Sequence, residues 1–69
     1  INFATPYTTN AKLIIYDVLG KEVSVLVNEI LTKGNYESSF NATFLNSGVY
    51  FYKLTTDGFS ETKRMILLK

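Results

Sequence analysis

A strand, a tight turn and a second strand near the end of the sequence constrain the fold more than any other feature. Residues 49–56 are rich in aromatic and aliphatic side chains, which favour an extended chain. Asp57-Gly58 follows and is typical of a two-residue type I′ hairpin turn. Residues 59–68 contain good helix formers, but the tight turn favours a returning strand. The sequence therefore predicts a β-hairpin here.

An earlier stretch predicts a second hairpin. Residues 11–16 combine β-branched and aromatic side chains, and alternation places apolar residues on both faces. Asp17 follows them, and aspartate is favoured at the first position of a type I turn. Gly20 accepts the positive φ that the residue after such a turn adopts. We therefore expect an antiparallel partner strand after Gly20.

The segment after this turn fits two structures. Its apolar residues are also spaced as on one face of a helix: Val23, Leu26, Val27, Ile30 and Leu31. Three valines within five residues and the preceding hairpin chemistry favour a strand instead. We predict that strand over residues 23–28, followed by a connection over 29–33 that ends at Gly34.

The rest of the chain completes a small sheet protein. Residues 1–5 alternate as a short edge strand would until Pro6, and a polar connection is expected through residue 10. Tyr36, Ser38 and Phe40 alternate along a further strand, before a polar loop over residues 41–47. Six or seven strands at short spacing predict an all-β fold, a small antiparallel sandwich forming one domain over residues 1–69. The glycines are isolated, each at a predicted turn: Gly20, Gly34, Gly48 and Gly58.

Composition excludes several functions. Seven basic and six acidic residues give a net charge of +1, too little for a general nucleic-acid surface. The chain has no histidine and no cysteine, so the commonest general base, zinc ligands and disulfides are all missing. It shows neither a transmembrane run nor an N-terminal export signal. We expect a non-catalytic domain without a cofactor, preceded by further residues because Ile1 lies within a strand-like pattern.

Two ligand sites are weaker interpretations. Asp17 and Glu22 flank the first hairpin and could share a calcium ion, although the turn role of Asp17 explains its presence. An aromatic series could form a sugar-stacking platform, with core packing as the alternative: Phe44, Tyr50, Phe51, Tyr52 and Phe59. Residues 41–43 match an N-glycosylation sequon, which we interpret as a polar loop.

Together, the motifs resemble the type A C-terminal sorting domain of the bacterial type IX secretion system. The matching segments cover nearly the whole chain in order: Tyr16-Asp17-x-x-Gly20, Gly34-x-Tyr36, Phe40-Asn41, Leu45-x-Ser47-Gly48-Val49-Tyr50 and Lys63-Arg64-Met65-x-Leu67-x-Lys69. Two features depart from the family. The Asn-Pro-rich lead-in is missing, and Tyr7-Thr8-Thr9 stands where members often carry glycine.

The resemblance implies an Ig-like sandwich that directs an N-terminal cargo domain through the periplasm and across the outer membrane to the cell surface or medium. It implies the outer-membrane secretion machinery and a sortase-like peptidase as partners. We expect recognition at the last strand, with possible self-association through its edge: Lys63, Arg64, Met65, Ile66, Leu67, Leu68 and Lys69. Turn and core roles are expected for Gly20, Gly34, Gly48, Tyr50, Tyr52, Asp57 and Gly58. Alternatives are an adhesive or structural module and a carbohydrate-binding accessory domain.

Overall fold

The computed structural model describes residues 1–40 and 45–68, in which all regular secondary structure is β-strand. The strands are β1 (Asn2–Thr5), β2 (Thr9–Tyr16), β3 (Glu22–Leu31), β4 (Gly34–Glu37), β5 (Gly48–Thr55) and β6 (Ser60–Leu67). They form a two-stranded sheet, β1-β4, and a four-stranded sheet in the order β3-β2-β5-β6, with every pair antiparallel. The two sheets pack together, which confirms the predicted small β-sandwich. The described residues contain no helix long and apolar enough to cross a membrane.

The core lies on the face of β2 that points towards the two-stranded sheet. Ala11 and Leu13 are 1% and 0% exposed, and Leu54 of β5 joins them at 5%. Phe3 of β1 packs against this cluster from the other sheet and stacks on Tyr36 of β4, with ring centroids 5.6 Å apart. Each fully buried aliphatic side chain stabilises the fold by about 1.5–3 kcal/mol. A chain without disulfides therefore depends on β2 and its two neighbours.

The first hairpin has the predicted turn. Gly20 N donates to the Asp17 carbonyl at 3.0 Å, and Gly20 has a φ of +82°. The Asp17 carboxylate accepts hydrogen bonds from the backbone N–H groups of Leu19 and Lys21, both at 2.9 Å. The prediction of a type I turn followed by a left-handed glycine is confirmed.

Strand β3 is longer than predicted and contains two bulges. It runs from Glu22 to Leu31 rather than over residues 23–28, because its last residues continue to pair with the start of β2. Leu13 of β2 pairs with Val27, but the next residue of β2 pairs with Val25, so Leu26 has no partner. A second register shift leaves one more residue of β3 unpaired, close to the turn.

These bulges explain the helix-like spacing of apolar residues in β3. A bulge shifts the alternation of side chains by one position, so adjacent residues can face the same side. Leu26 and Val27 are neighbours in the chain, yet both pack against the core cluster. The strand prediction is confirmed, and the spacing typical of a helix belongs to an irregular strand.

Other strand ends differ from the sequence prediction. Strand β2 begins at Thr9, inside the predicted connection over residues 6–10, because Thr9 pairs with Leu31 and is buried. Strand β4 ends at Glu37, before the predicted alternation through Phe40, since the ladder with β1 finishes at the hydrogen bonds between Ile1 and Ser38. Gly34 and Gly48 do not lie in turns as predicted; they are the first residues of β4 and β5.

The β5-β6 connection is not the predicted type I′ turn. Neither Asp57 nor Gly58 has a positive φ, and Thr55 pairs with Ser60, so the loop has four residues rather than two. The Thr56 hydroxyl accepts hydrogen bonds from the N–H groups of Gly58 and Phe59, at 3.4 and 3.2 Å. The loop also packs on the start of β2, where Asp57 N donates to the Thr9 hydroxyl at 3.1 Å. This distant contact favours the wider loop.

Candidate functional site

Strand β6 forms an edge of the four-stranded sheet. Among the described strands it pairs with β5 alone. Thr56 N donates to the Phe59 carbonyl at 2.8 Å, and this bond sets the alternation of the ladder that follows. From this bond the ladder alternates along β6. The backbone N–H and C=O groups of Lys63, Met65 and Leu67 bond to β5, whereas those of Thr62, Arg64 and Ile66 point away. We call this outward row the β6 edge.

The β6 edge carries the exposed side chains of the predicted recognition segment. Ile66 is 63% exposed, Leu68 is 84% exposed, and Arg64 is exposed as well. Met65 and Leu67 are half-buried and lie on the opposite face of the strand. Within residues 63–68, the structure therefore divides the predicted segment into two anchoring residues and four exposed ones, Lys63 among them. Lys69 lies outside the described residues.

Lys63 lies on the inner face of the four-stranded sheet, where a sandwich normally carries apolar side chains. Its Nζ is 3.3 Å from the Glu61 carboxylate, and both side chains are more than half exposed. The two-stranded sheet therefore does not cover this part of β6. A surface ion pair of this kind contributes about 0–1 kcal/mol, which leaves Lys63 free to change partner.

Strand β5 holds β6 in place through residues that the sequence had identified. Gly48 pairs with Leu67, and Tyr50 pairs with Met65. Tyr50 is 8% exposed, and its hydroxyl donates to the Asn46 carbonyl at 2.8 Å. Because the Tyr50 ring is buried and its hydroxyl is hydrogen-bonded, the start of β5 is fixed. The register of the last residues of β6 is fixed with it.

The described aromatic side chains of the predicted series do not form one sugar-binding platform. Tyr50 is buried, and Tyr52 is half-buried on the same inner face. Phe51 lies on the outer face, because successive strand residues point to opposite sides. Phe59 packs against the core cluster, and Phe44 lies outside the described residues, as does the sequon at residues 41–43. The core interpretation fits Tyr50, Tyr52 and Phe59, but not Phe51.

The outer face of the four-stranded sheet is a feature that the sequence analysis missed. A shallow pocket of about 240 Å³ lies there beside the first hairpin, between Tyr16, Phe51 and Lys53. Val25 and Ile66, on the same face, are 44% and 63% exposed. Alternation along β5 had placed Phe51 and Lys53 together, but only the strand order shows that no other described strand covers them.

The described residues offer little for catalysis or metal binding. Within residues 1–40 and 45–68, no three side chains of histidine, cysteine, aspartate or glutamate come together in an arrangement that could hold a metal ion. The Asp17 carboxylate is already engaged by two backbone N–H groups of its own turn. The candidate site among the described residues is therefore the β6 edge, built from backbone groups and alternating side chains.

Comparison with known families gives one result. The model described as the secretion system C-terminal sorting domain matches residues 1–68. Searches of curated proteins and of solved structures find no significant match. The family match spans both sheets, the first hairpin and all of β6.

Proposed function

This chain belongs to the secretion system C-terminal sorting domain family, and we propose that its β6 edge is the surface through which the sorting signal is recognised. Domains of this family are C-terminal signals for type IX secretion, which takes cargo proteins across the outer membrane to the cell surface or medium. The family is not a catalytic one, and its members are joined to an N-terminal cargo in the same precursor. The proposal concerns which part of the fold the machinery contacts.

The open backbone of β6 is the observation that carries the proposal. An edge strand presents unpaired N–H and C=O groups that a partner strand can pair with, while alternating side chains provide specificity. Here the backbone groups of Arg64 and Ile66 point outwards, and the side chains of both residues are exposed. Met65 and Leu67 pair with β5 and are half-buried, so they hold the strand against the sandwich.

We propose two further features, cleavage by a partner peptidase and competition from self-association. The domain itself carries no catalytic residue, and a sortase-like peptidase of the secretion machinery separates it from its cargo. Pairing of two β6 edges would give a dimer that competes with recognition, because both use the same backbone groups. Self-association is therefore expected to reduce delivery rather than assist it.

A secretion assay tests the proposal. A reporter enzyme carries an N-terminal export signal and this chain at its C-terminus, in a bacterium that has the type IX system. We expect the unmodified reporter at the surface or in the medium. Removing residues 63–69 retains it in the periplasm, but this deletion also removes apolar side chains worth about 1.5–3 kcal/mol each when buried. Charge reversal is therefore the sharper change.

The charge variants have a matched control. Lys63→Glu and Lys69→Glu should lower delivery, because reversing a charge weakens attraction to an acidic receptor surface. Lys33→Glu makes the same change in the exposed turn before β4 and should leave delivery unaltered. Each surface variant should stay within about 0.5 kcal/mol of the parent in unfolding free energy. Equal delivery of the parent, the deletion and the charge variants would reject the β6 edge as the recognition surface.

A further inference from the structure

A second open edge lies on the two-stranded sheet, along β1. Ile1 N donates to the Ser38 carbonyl at 2.9 Å, and Ser38 N donates to the Ile1 carbonyl at 2.8 Å. In an antiparallel ladder such doubly bonded pairs alternate with pairs whose backbone groups point outwards. The groups of Asn2 and Ala4 therefore point away from β4, and no described strand pairs with them.

A groove runs beside this edge, between the two sheets. Its volume is about 250 Å³, and residues of both sheets line it. Asn2, Phe3 and Ala4 form one wall, and Tyr52 and Leu54 of β5 lie on the other sheet. We call this space the β1 groove.

The far rim of the β1 groove is charged. Glu61 and Lys63 line it from β6, and both side chains are more than half exposed. A fully covered sandwich would bury apolar side chains at these inward positions. The four-stranded sheet thus extends past β1, and the space above β5 and β6 is wide enough to leave both charges in solvent.

We propose that the β1 groove accepts an extended strand of a partner polypeptide, which adds to β1 as a third strand of the smaller sheet. An extended chain can satisfy the N–H and C=O groups of Asn2 and Ala4 together, because they recur every second residue, as the backbone groups of a partner strand do. The incoming strand carries alternating side chains: apolar ones pack on Tyr52 and Leu54, and polar ones face solvent. Its backbone groups belong to β1 and are distinct from those of the β6 edge, although Lys63 of the recognition segment lines the groove.

A peptide titration tests this proposal. The probe is a synthetic peptide of about seven residues, a common strand length, with alternating valine and threonine and capped ends. Titrated into the isotope-labelled chain, it should shift the amide signals of Asn2 and Ala4 and those of Tyr52. It should also slow hydrogen exchange at the first two. The control peptide is N-methylated at every second residue on the side that would face β1, and it should not bind.

Variants at Ala4 separate backbone pairing from side-chain contact. Ala4→Pro removes the outward N–H, and the bonds to β4 stay because they involve the neighbouring residues. It should weaken peptide binding about tenfold, the loss expected for one hydrogen bond of a ladder. Ala4→Val keeps the N–H and should bind like the parent. Thermal melts and the signals of β2 check that both variants fold.

Three results would overturn the proposal. The first is a titration that leaves Asn2 and Ala4 unchanged, and the second is a set of shifts confined to Thr62, Arg64 and Ile66 on the β6 edge. The third is a peptide-free chain whose sedimentation shows a dimer that Ala4→Pro abolishes, because the groove would then hold a second copy of this chain. Shifts at the β1 groove that are lost with Ala4→Pro and with the N-methylated peptide support it.

Discussion

The hydroxyl end of the Tyr7 ring lies over Gly58, in the space that a Cβ atom at residue 58 would occupy. Tyr7 belongs to the connection between β1 and β2, and Gly58 to the loop between β5 and β6. The two are distant in sequence, and Tyr7 is 42% exposed. Residue 58 is thus glycine because of a neighbour, whereas residue 20 is glycine because its φ is +82°.

This difference predicts the outcome of a double-mutant cycle. Gly58→Ala should destabilise by about 1 kcal/mol, at the low end for overpacking because the exposed ring can swing away. Adding Tyr7→Ala should recover most of that loss. Gly20→Ala should cost about 1–2 kcal/mol from backbone strain, and Tyr7→Ala should not relieve it. Urea denaturation measures all six proteins, the parent and the five variants, and equal coupling of Tyr7 to both glycines would contradict the structure.

The two tyrosines of β5 should differ in their contribution to stability. Tyr50→Ala should cost about 3–5 kcal/mol, as for a buried aromatic residue. Tyr52 is only half-buried, so Tyr52→Ala should cost clearly less. Tyr50→Phe isolates the hydrogen bond to Asn46 and should cost about 0.5–1.5 kcal/mol. Thermal and urea unfolding give these values; a Tyr50→Phe variant as stable as the parent would argue against the buried hydrogen bond.

Strand β3 offers a test of its bulge. Leu26, the unpaired residue, packs on the core, whereas Ile30 is 68% exposed although both fit one helical face. Leu26→Ala should cost roughly 1–2 kcal/mol, about half the value for a fully buried leucine. Ile30→Ala should stay within about 0.5 kcal/mol of the parent. Similar losses for both variants, with a helical circular dichroism spectrum, would support the helix that the structure rejects.

Proline substitution distinguishes the two sides of β6. Arg64→Pro removes an outward N–H, so we expect about 1 kcal/mol of destabilisation and a strong loss of reporter delivery. Arg64→Thr keeps that N–H, and it separates the role of the backbone from that of the charge. Met65→Pro removes an inward N–H that bonds to β5 and should destabilise by at least about 1 kcal/mol more than Arg64→Pro. Full delivery of a folded Arg64→Pro reporter would count against strand addition at β6.

Local chemistry allowed the sequence to predict much of this protein. Alternation and β-branched residues placed all six strands, and the aspartate and glycine of the first hairpin specified its turn, because these preferences act within a few residues. The spaced motifs from Tyr16 to the final lysine identified the family. Residues 63–69 were predicted as the recognition segment from that resemblance, and that role remains a proposal.

Tertiary structure decided the features that depend on partners distant in sequence. The Thr9 hydroxyl accepts a hydrogen bond from the N–H of Asp57, 48 residues away. The connection there is a four-residue loop instead of the predicted two-residue turn. Leu26 is unpaired because β3 must follow β2 while keeping its apolar side chains on the core, which local alternation cannot show. The open edges at Ala4 and Arg64 likewise follow from strand order. A strand's own sequence specifies its two faces, but only the assembled sheet determines which backbone groups remain unpaired.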